Sequence, residues 1–227
     1  MSQFDSKFYD FLTHPDTPGQ MAAEAKRYGF YGIVVTNSKI NEGIILPDDF
    51  SIYKGIEIRA KPSRIREEIK KLRNSNIISI VRGGGEEINR AAVESVGLDI
   101  LLQPFEFNNV LAKAASDNSI AIGFNLGPLI KLKGDPRIRE LNYMRTNIKH
   151  VRKYKLEMIL TGDPGSVYDL RSPREMAALS SLFGMTQSEA VDAMSAMPMS
   201  ILRRKSPNYI QEGIEKLGNS AAAPRSR

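Results

Sequence analysis

Short runs of apolar residues alternate along this chain with longer stretches whose apolar positions recur every three or four residues. The runs "KFYDFL" (7–12), "YGIVVT" (31–36), "YKGIEIRA" (53–60), "IISIVRG" (77–83), "LDILLQ" (98–103), "IAIGFNL" (120–126) and "EMILTG" (157–162) read as strands. Some are continuously apolar, as expected where a parallel sheet is covered on both faces. Between them, 17–29, 63–74, 86–97, 108–118 and 137–154 read as helices, and 172–183 and 186–197 follow the seventh run. Capping boxes are spelled by Thr17 with Gln20, Ser172 with Glu175 and Thr186 with Glu189; Pro18 and Pro173 take first helical positions. Gly97 supplies a helix stop. Residues 198–205 add a turn or two, and 207–217 predict a last helix. Residues 218–227 lack apolar periodicity and predict a disordered tail.

Seven strand–helix alternations with short connections imply an α/β fold built on an all-parallel sheet. The leading architecture is a TIM-like barrel with about seven parallel strands and extra helices, as one domain over 1–217. A doubly wound open sheet is the alternative. An eighth strand has to hide near 163–170 or be missing.

Composition narrows the chemistry. The chain is 41% apolar and 26% charged, ordinary for a soluble protein, and no apolar run approaches a membrane span. "MSQFDSKF" lacks the pattern of a signal peptide. Zero cysteines exclude disulfides and thiolate metal sites and fit a reducing cytoplasm.

Barrel chemistry sits at the C-terminal ends of strands. Here those positions hold Thr13, His14, Asn37, Ser38, Arg59, Arg82, Gln103, Asn125 and Thr161 to Asp163. His14 and His150 are the only histidines, too few for a multi-histidine metal centre or for most nucleophile–base pairs. A carboxylate-only Mg²⁺ site on Asp10, Glu57 and Asp163 stays conceivable, as does a Schiff-base lysine at Lys39. The "RGGGEE" turn matches neither a dinucleotide nor a P-loop fingerprint, and its glutamates would repel phosphate. It reads as a tight strand-to-helix turn. Arg82, ending an apolar strand, must find water or an anion.

Net charge is +6, and it is concentrated. Over 131–155 nine basic residues face only Asp135 and Glu140, a local balance of +7. On a helical wheel Ile138, Leu141, Met144, Ile148 and Val151 share an apolar arc, with Arg145, Lys149, Arg152 and Lys153 in a stripe beside it. Such a stripe can follow a phosphate backbone or simply face solvent. "KPSRIREEIKKLR" and "LRRK" add smaller basic clusters. Aromatics are sparse and not interleaved with them, which argues against stacking along a single strand and for structured RNA.

Four segments carry a resemblance: "GGGEEINRAAVESVGLDILLQP", "NNVLAKAASDNSIAIGFNL", "KYKLEMILTGDPGSVYDLRSPREMAALSSLFGM" and "SEAVDAMSAMPMSILRR". In order and spacing they resemble the archaeal ribonuclease P protein component 3 family, over about Phe8 to Arg203. The resemblance implies a seven-stranded TIM-like barrel within a ribonucleoprotein that removes the 5′ leader from precursor tRNA. Cleavage would belong to the RNA subunit and its Mg²⁺, with no cofactor bound by the protein and no active site of its own. Expected partners are ribonuclease P RNA, component 2, other protein subunits and precursor tRNA, in the cytoplasm. The fold is similar to PHP phosphoesterases, whose first strand carries Asp-x-His-x-His. Asp10, Leu12 and His14 stand there, so the metal site looks lost. A PHP-like phosphoesterase with a degenerate site is the alternative function. The expected RNA contacts are Arg82, Arg90, Lys113, Arg145, Lys149, Arg171 and Arg174.

Overall fold

The computed structural model describes residues 6–38, 40, 44–206, 209–211 and 214–215. Seven strands run in sequence order around one parallel sheet: β1 (Phe8–Thr13), β2 (Phe30–Thr36), β3 (Ser51–Ile58), β4 (Ile78–Arg82), β5 (Ile100–Leu102), β6 (Ala121–Asn125) and β7 (Met158–Thr161). Helices α1 (Pro18–Arg27), α2 (Pro62–Leu72), α3 (Glu86–Val93), α4 (Asn109–Asp117), α5 (Gly127–Lys131) and α6 (Asp135–Tyr154) fill connections between them. After β7 come a 3₁₀ turn at Val167–Asp169, α7 (Pro173–Ser180), a second 3₁₀ turn at Ser181–Phe183, α8 (Gln187–Met194) and α9 (Ala196–Arg204). The sheet curls into a nearly closed TIM-like barrel, as the alternation predicts.

Two apolar layers hold it. Between strands and helices, side chains such as Ile33, Val35, Val81, Leu101, Ile122 and Leu160 meet Ile65, Ile69, Leu111, Ile148 and Met176. Inside the barrel, Phe11, Val34, Ile78, Ile80, Ile100, Leu102 and Ile159 pack together. Seven strands enclose less room than eight, and two inner positions are glycine. A Cβ on Gly55 would lie 2.6 Å from Val34 Cγ1, and one on Gly123 would lie 2.7 Å from Leu102 Cδ1.

Two details settle what the sequence left open, and a third corrects it. No backbone ladder joins β1 to β7, and 163–170 forms a loop with one 3₁₀ turn instead of an eighth strand. The stretch 198–204 belongs to α9, whose Ile201 is fully buried and joins Met197, Met199 and Leu202 against the barrel interior. The predicted helix over 207–217 is replaced, where described, by β8 (Tyr209–Gln211) paired antiparallel to β9 (Ile214–Glu215). The tail 218–227 and Lys39 lie outside the described residues. Both later capping boxes form, with Ser172 Oγ accepting from Glu175 N and Thr186 Oγ1 from Glu189 N. Thr17 is an N-cap without a side-chain cap bond, because its hydroxyl donates to Gln20 Oε1.

Candidate nucleic-acid interface

The upper end of the barrel interior turns polar where inward-facing strand positions run out of apolar residues. Glu57 from β3, Arg82 from β4, Asn125 from β6 and Asp163 just past β7 converge there with His14, which follows β1. Arg82 Nε donates to Glu57 Oε1, and its Nη2 donates to Asp163 Oδ2 at 3.2 Å. His14 Nδ1 lies 2.9 Å from Asp163 Oδ1, and Nε2 lies 3.3 Å from Glu57 Oε2, too poorly aligned for a hydrogen bond. Asn125 donates to Asp163 Oδ2 at 2.8 Å, and Arg59 adds a second guanidinium to Glu57 at 2.9 Å.

These contacts fix the protonation states. The bond to Asp163 and the nearness of Glu57 outweigh burial and raise the His14 pKa to about 9. Burial opposes ionisation of Glu57, yet His14, Arg82 and Arg59 together hold its pKa down at about 2. Asp163 is likewise lowered, because His14, Asn125 and Arg82 outweigh its burial. At neutral pH the mouth therefore holds three cations around two carboxylates. A protonated His14 is no general base.

Asp10 serves the seam beside this cluster. It is buried, which raises its pKa to about 6, and it accepts from Leu12 N, Thr161 Oγ1 and Gly162 N. His14 N donates to Pro164 O at 3.0 Å. Side-chain and loop bonds thus join β1 to β7 where a ladder does not. Leu12, standing at the histidine position of the phosphoesterase motif, packs inside the barrel. The three carboxylates considered for Mg²⁺ do not form one ligand set: Asp10 is held by the seam, and Glu57 and Asp163 by cations. Among the described residues no group of three or more His, Asp or Glu side chains is arranged to hold a metal ion.

The seven expected RNA contacts are not brought to one place. Arg82, which had to find water or an anion, finds its anions inside the protein: Glu57 and Asp163 lie 25 and 81 residues away, beyond any local pattern. Arg90 sits on α3 between Glu86 and Glu94, in a groove that Glu87 and Arg66 also line. The acids outnumber the bases there, a poor landing for phosphate. Lys113 is exposed on α4 and pairs with Asp117 one turn on, a contact of small energy.

Arg145 and Lys149 lie on the exposed side of α6, whose buried side is Met144, Asn147, Ile148 and Val151. Ile138, placed on the apolar arc by the wheel, is instead exposed. Arg145 donates to Leu182 O at 3.1 Å. Its stripe neighbour Arg152 grips both oxygens of Glu189 at 2.8 Å and donates to Gly184 O. Lys153 reaches Asn109 Oδ1 on α4. The stripe thus does two jobs: its edges tie α6 to α4 and to the segment before α8, and its crest at Lys149 faces solvent. Arg171 and Arg174 flank the start of α7. Arg171 Nη1 donates to Tyr168 O and Leu170 O. Arg174 is exposed in the first turn of the helix.

Comparison with known proteins gives this surface its setting. A family model described as RNase P subunit p30 matches residues 7–208. Ribonuclease P protein component 3 of Methanosarcina acetivorans is 40% identical, over 93% of this chain and 96% of its own length. A chain in a cryo-EM structure of archaeal Ribonuclease P with mature tRNA superposes with a TM-score of 0.76 at 23% identity, covering 92% of this chain and 99% of that one. A prolidase complexed with n-methylphosphonate-l-proline gives 0.61 at 9% identity, covering 92% and 78%. At such identities the structures share the fold alone. The sequence match spans the whole barrel and α7 to α9, and it shows that the chain belongs to the RNase P subunit p30 family.

Proposed function

We propose that this chain binds and organises the catalytic RNA of a ribonuclease P ribonucleoprotein, for removal of the 5′ leader from precursor tRNA. Cleavage belongs to the RNA and its Mg²⁺, and this chain holds no metal of its own. Component 2 and other protein subunits are its protein partners, in the cytoplasm. The observation that carries the RNA-binding role is the division of the charge. Arg82 at the barrel mouth is paired with Glu57 and Asp163, whereas Arg145 and Lys149 of the basic segment 131–155 lie on the exposed side of α6. Arg145 and Lys149 on the exposed side of α6, Lys113 exposed on α4, and Arg171 and Arg174 flanking the start of α7 are the candidate phosphate contacts. The degenerate phosphoesterase is disfavoured by the same cluster, since His14 and both mouth carboxylates are spent on one another.

Salt dependence of binding to the catalytic RNA tests the assignment. Lys149→Ala and Arg174→Ala should each weaken binding and lower the slope of log K against log salt by about 1, with thermal unfolding unchanged. An unaltered slope in either variant removes that residue from the phosphate contacts.

A further inference from the structure

The loop between β7 and α7 holds a feature that phosphate binding does not use. Tyr168 is 88% exposed, and among the described residues no other aromatic ring stands so far into water. Its neighbours are fixed. Leu170 is buried, and Val167 packs against the helix-side core. Asp169 Oδ2 accepts from Gly165 N and Ser166 N, both at 3.2 Å, closing a capping box around the 3₁₀ turn. The ring is therefore displayed by a braced turn and does not ride on a frayed one. Burying an aromatic ring is favourable, and the turn forgoes that.

The charge around the ring is suited to nucleic acid. Arg171 uses Nη1 to hold the carbonyls of Tyr168 and Leu170, which keeps its guanidinium beside the turn. Lys131 Nζ lies 3.6 Å from Oδ2 of Asp169, the residue next to Tyr168, and half of its side chain is exposed. The one carboxylate of the turn is thus occupied by backbone N–H groups and a lysine. An exposed aromatic ring on a turn that also holds two basic side chains suits a base on the ring and phosphates beside it.

We propose that Tyr168 is a stacking post for one unpaired nucleobase of the bound RNA, with Arg171 and Lys131 on the adjoining phosphates. The proposal rests on the RNA-binding role above and deepens it. Sparse aromatics still argue against a stacked single-strand tract; one ring serves one base. A pre-set turn loses little freedom on binding, which suits a contact made by a single side chain.

The chain contains no tryptophan, so Tyr168→Trp supplies a unique fluorophore. With the catalytic RNA, that variant should bind as wild type does and be quenched, and a fully paired RNA duplex should not quench it. Tyr168→Ala should weaken binding about 5- to 150-fold, as loss of one base–aromatic stack does, with an unchanged salt slope, and Tyr168→Phe should restore it. Wild-type affinity in Tyr168→Ala, or RNA binding without quenching in Tyr168→Trp, overturns the stacking post and leaves the RNA-binding role standing. So does a Tyr168→Trp emission change on adding component 2 without RNA. If wild-type protein fails to bind the RNA at all, the RNA-binding role falls and takes this inference with it.

Discussion

Asn89 sits at the centre of "EEINRAAVE", and its job is structural. The buried amide accepts from Gly84 N, and it donates to the carbonyls of Gly84 and Phe105, stitching the loop after β4 to the loop after β5. Gly83 beside it admits no side chain: a Cβ would lie 2.6 Å from Pro104 Cα. Asn108 caps α4 by accepting from Val110 N and Leu111 N, and Ser172 with Glu175 caps α7. Several of the most distinctive residues of this chain therefore build turns and caps. At the mouth, His14 makes a sharper prediction. Its pKa in the fold, about 9, exceeds the unfolded value near 6.5, so its contribution is complete below pH 6.5 and fades as pH rises through 9. Asp10 ionises below that window, Glu57 and Asp163 are already ionised, and against its burial the carboxylates beside Arg82 raise its pKa further. Urea unfolding should show wild type ahead of His14→Gln at pH 6.5, by up to about 3 kcal/mol, with the gap closing by pH 9.5. A gap independent of pH would contradict the ion cluster. The capping boxes at Ser172 and Thr186 were legible because each closes within three residues. The partners of Arg82 and His14 were not, because the barrel brings them together from strands far apart in sequence.

At the scale of elements, the seven strand runs were legible from apolar continuity. The helices between them were legible from their period. What sequence could not show was where α9 goes. "PMSILRRK" has no strong period, yet Ile201 closes the barrel interior with Met197, Met199 and Leu202. Ile201→Ala should cost about 2–5 kcal/mol in denaturant unfolding, the range for emptying a buried aliphatic site. A loss under about 1 kcal/mol would mean that α9 lies on the barrel without holding it shut. The segment at 207–217 misled for a related reason. Its spacing suits a helix, but a short apolar run cannot by itself distinguish helix from strand, and residues 209–211 and 214–215 pair as a small antiparallel sheet. The basic stripe of α6 was legible as a stripe. Its edges turned out to grip α4, Leu182, Gly184 and Glu189, contacts invisible until α6 is set between its neighbours.

The whole molecule is a barrel whose fold is shared with a prolidase, with its upper mouth filled by its own ions. Scarce histidines signalled from sequence that ordinary metal chemistry was short of ligands. The structure adds what fills the space: an imidazolium and two guanidinium groups against Glu57 and Asp163. The net charge of +6 is then carried outward, along α6 and at the start of α7. Reconstituted precursor-tRNA cleavage tests the proposed role most directly. The catalytic RNA is assayed at low Mg²⁺, alone and with this chain plus component 2. The account predicts that the proteins raise 5′-leader removal and that this chain by itself cleaves no phosphoester; no enhancement, or cleavage by the chain without RNA, would contradict it.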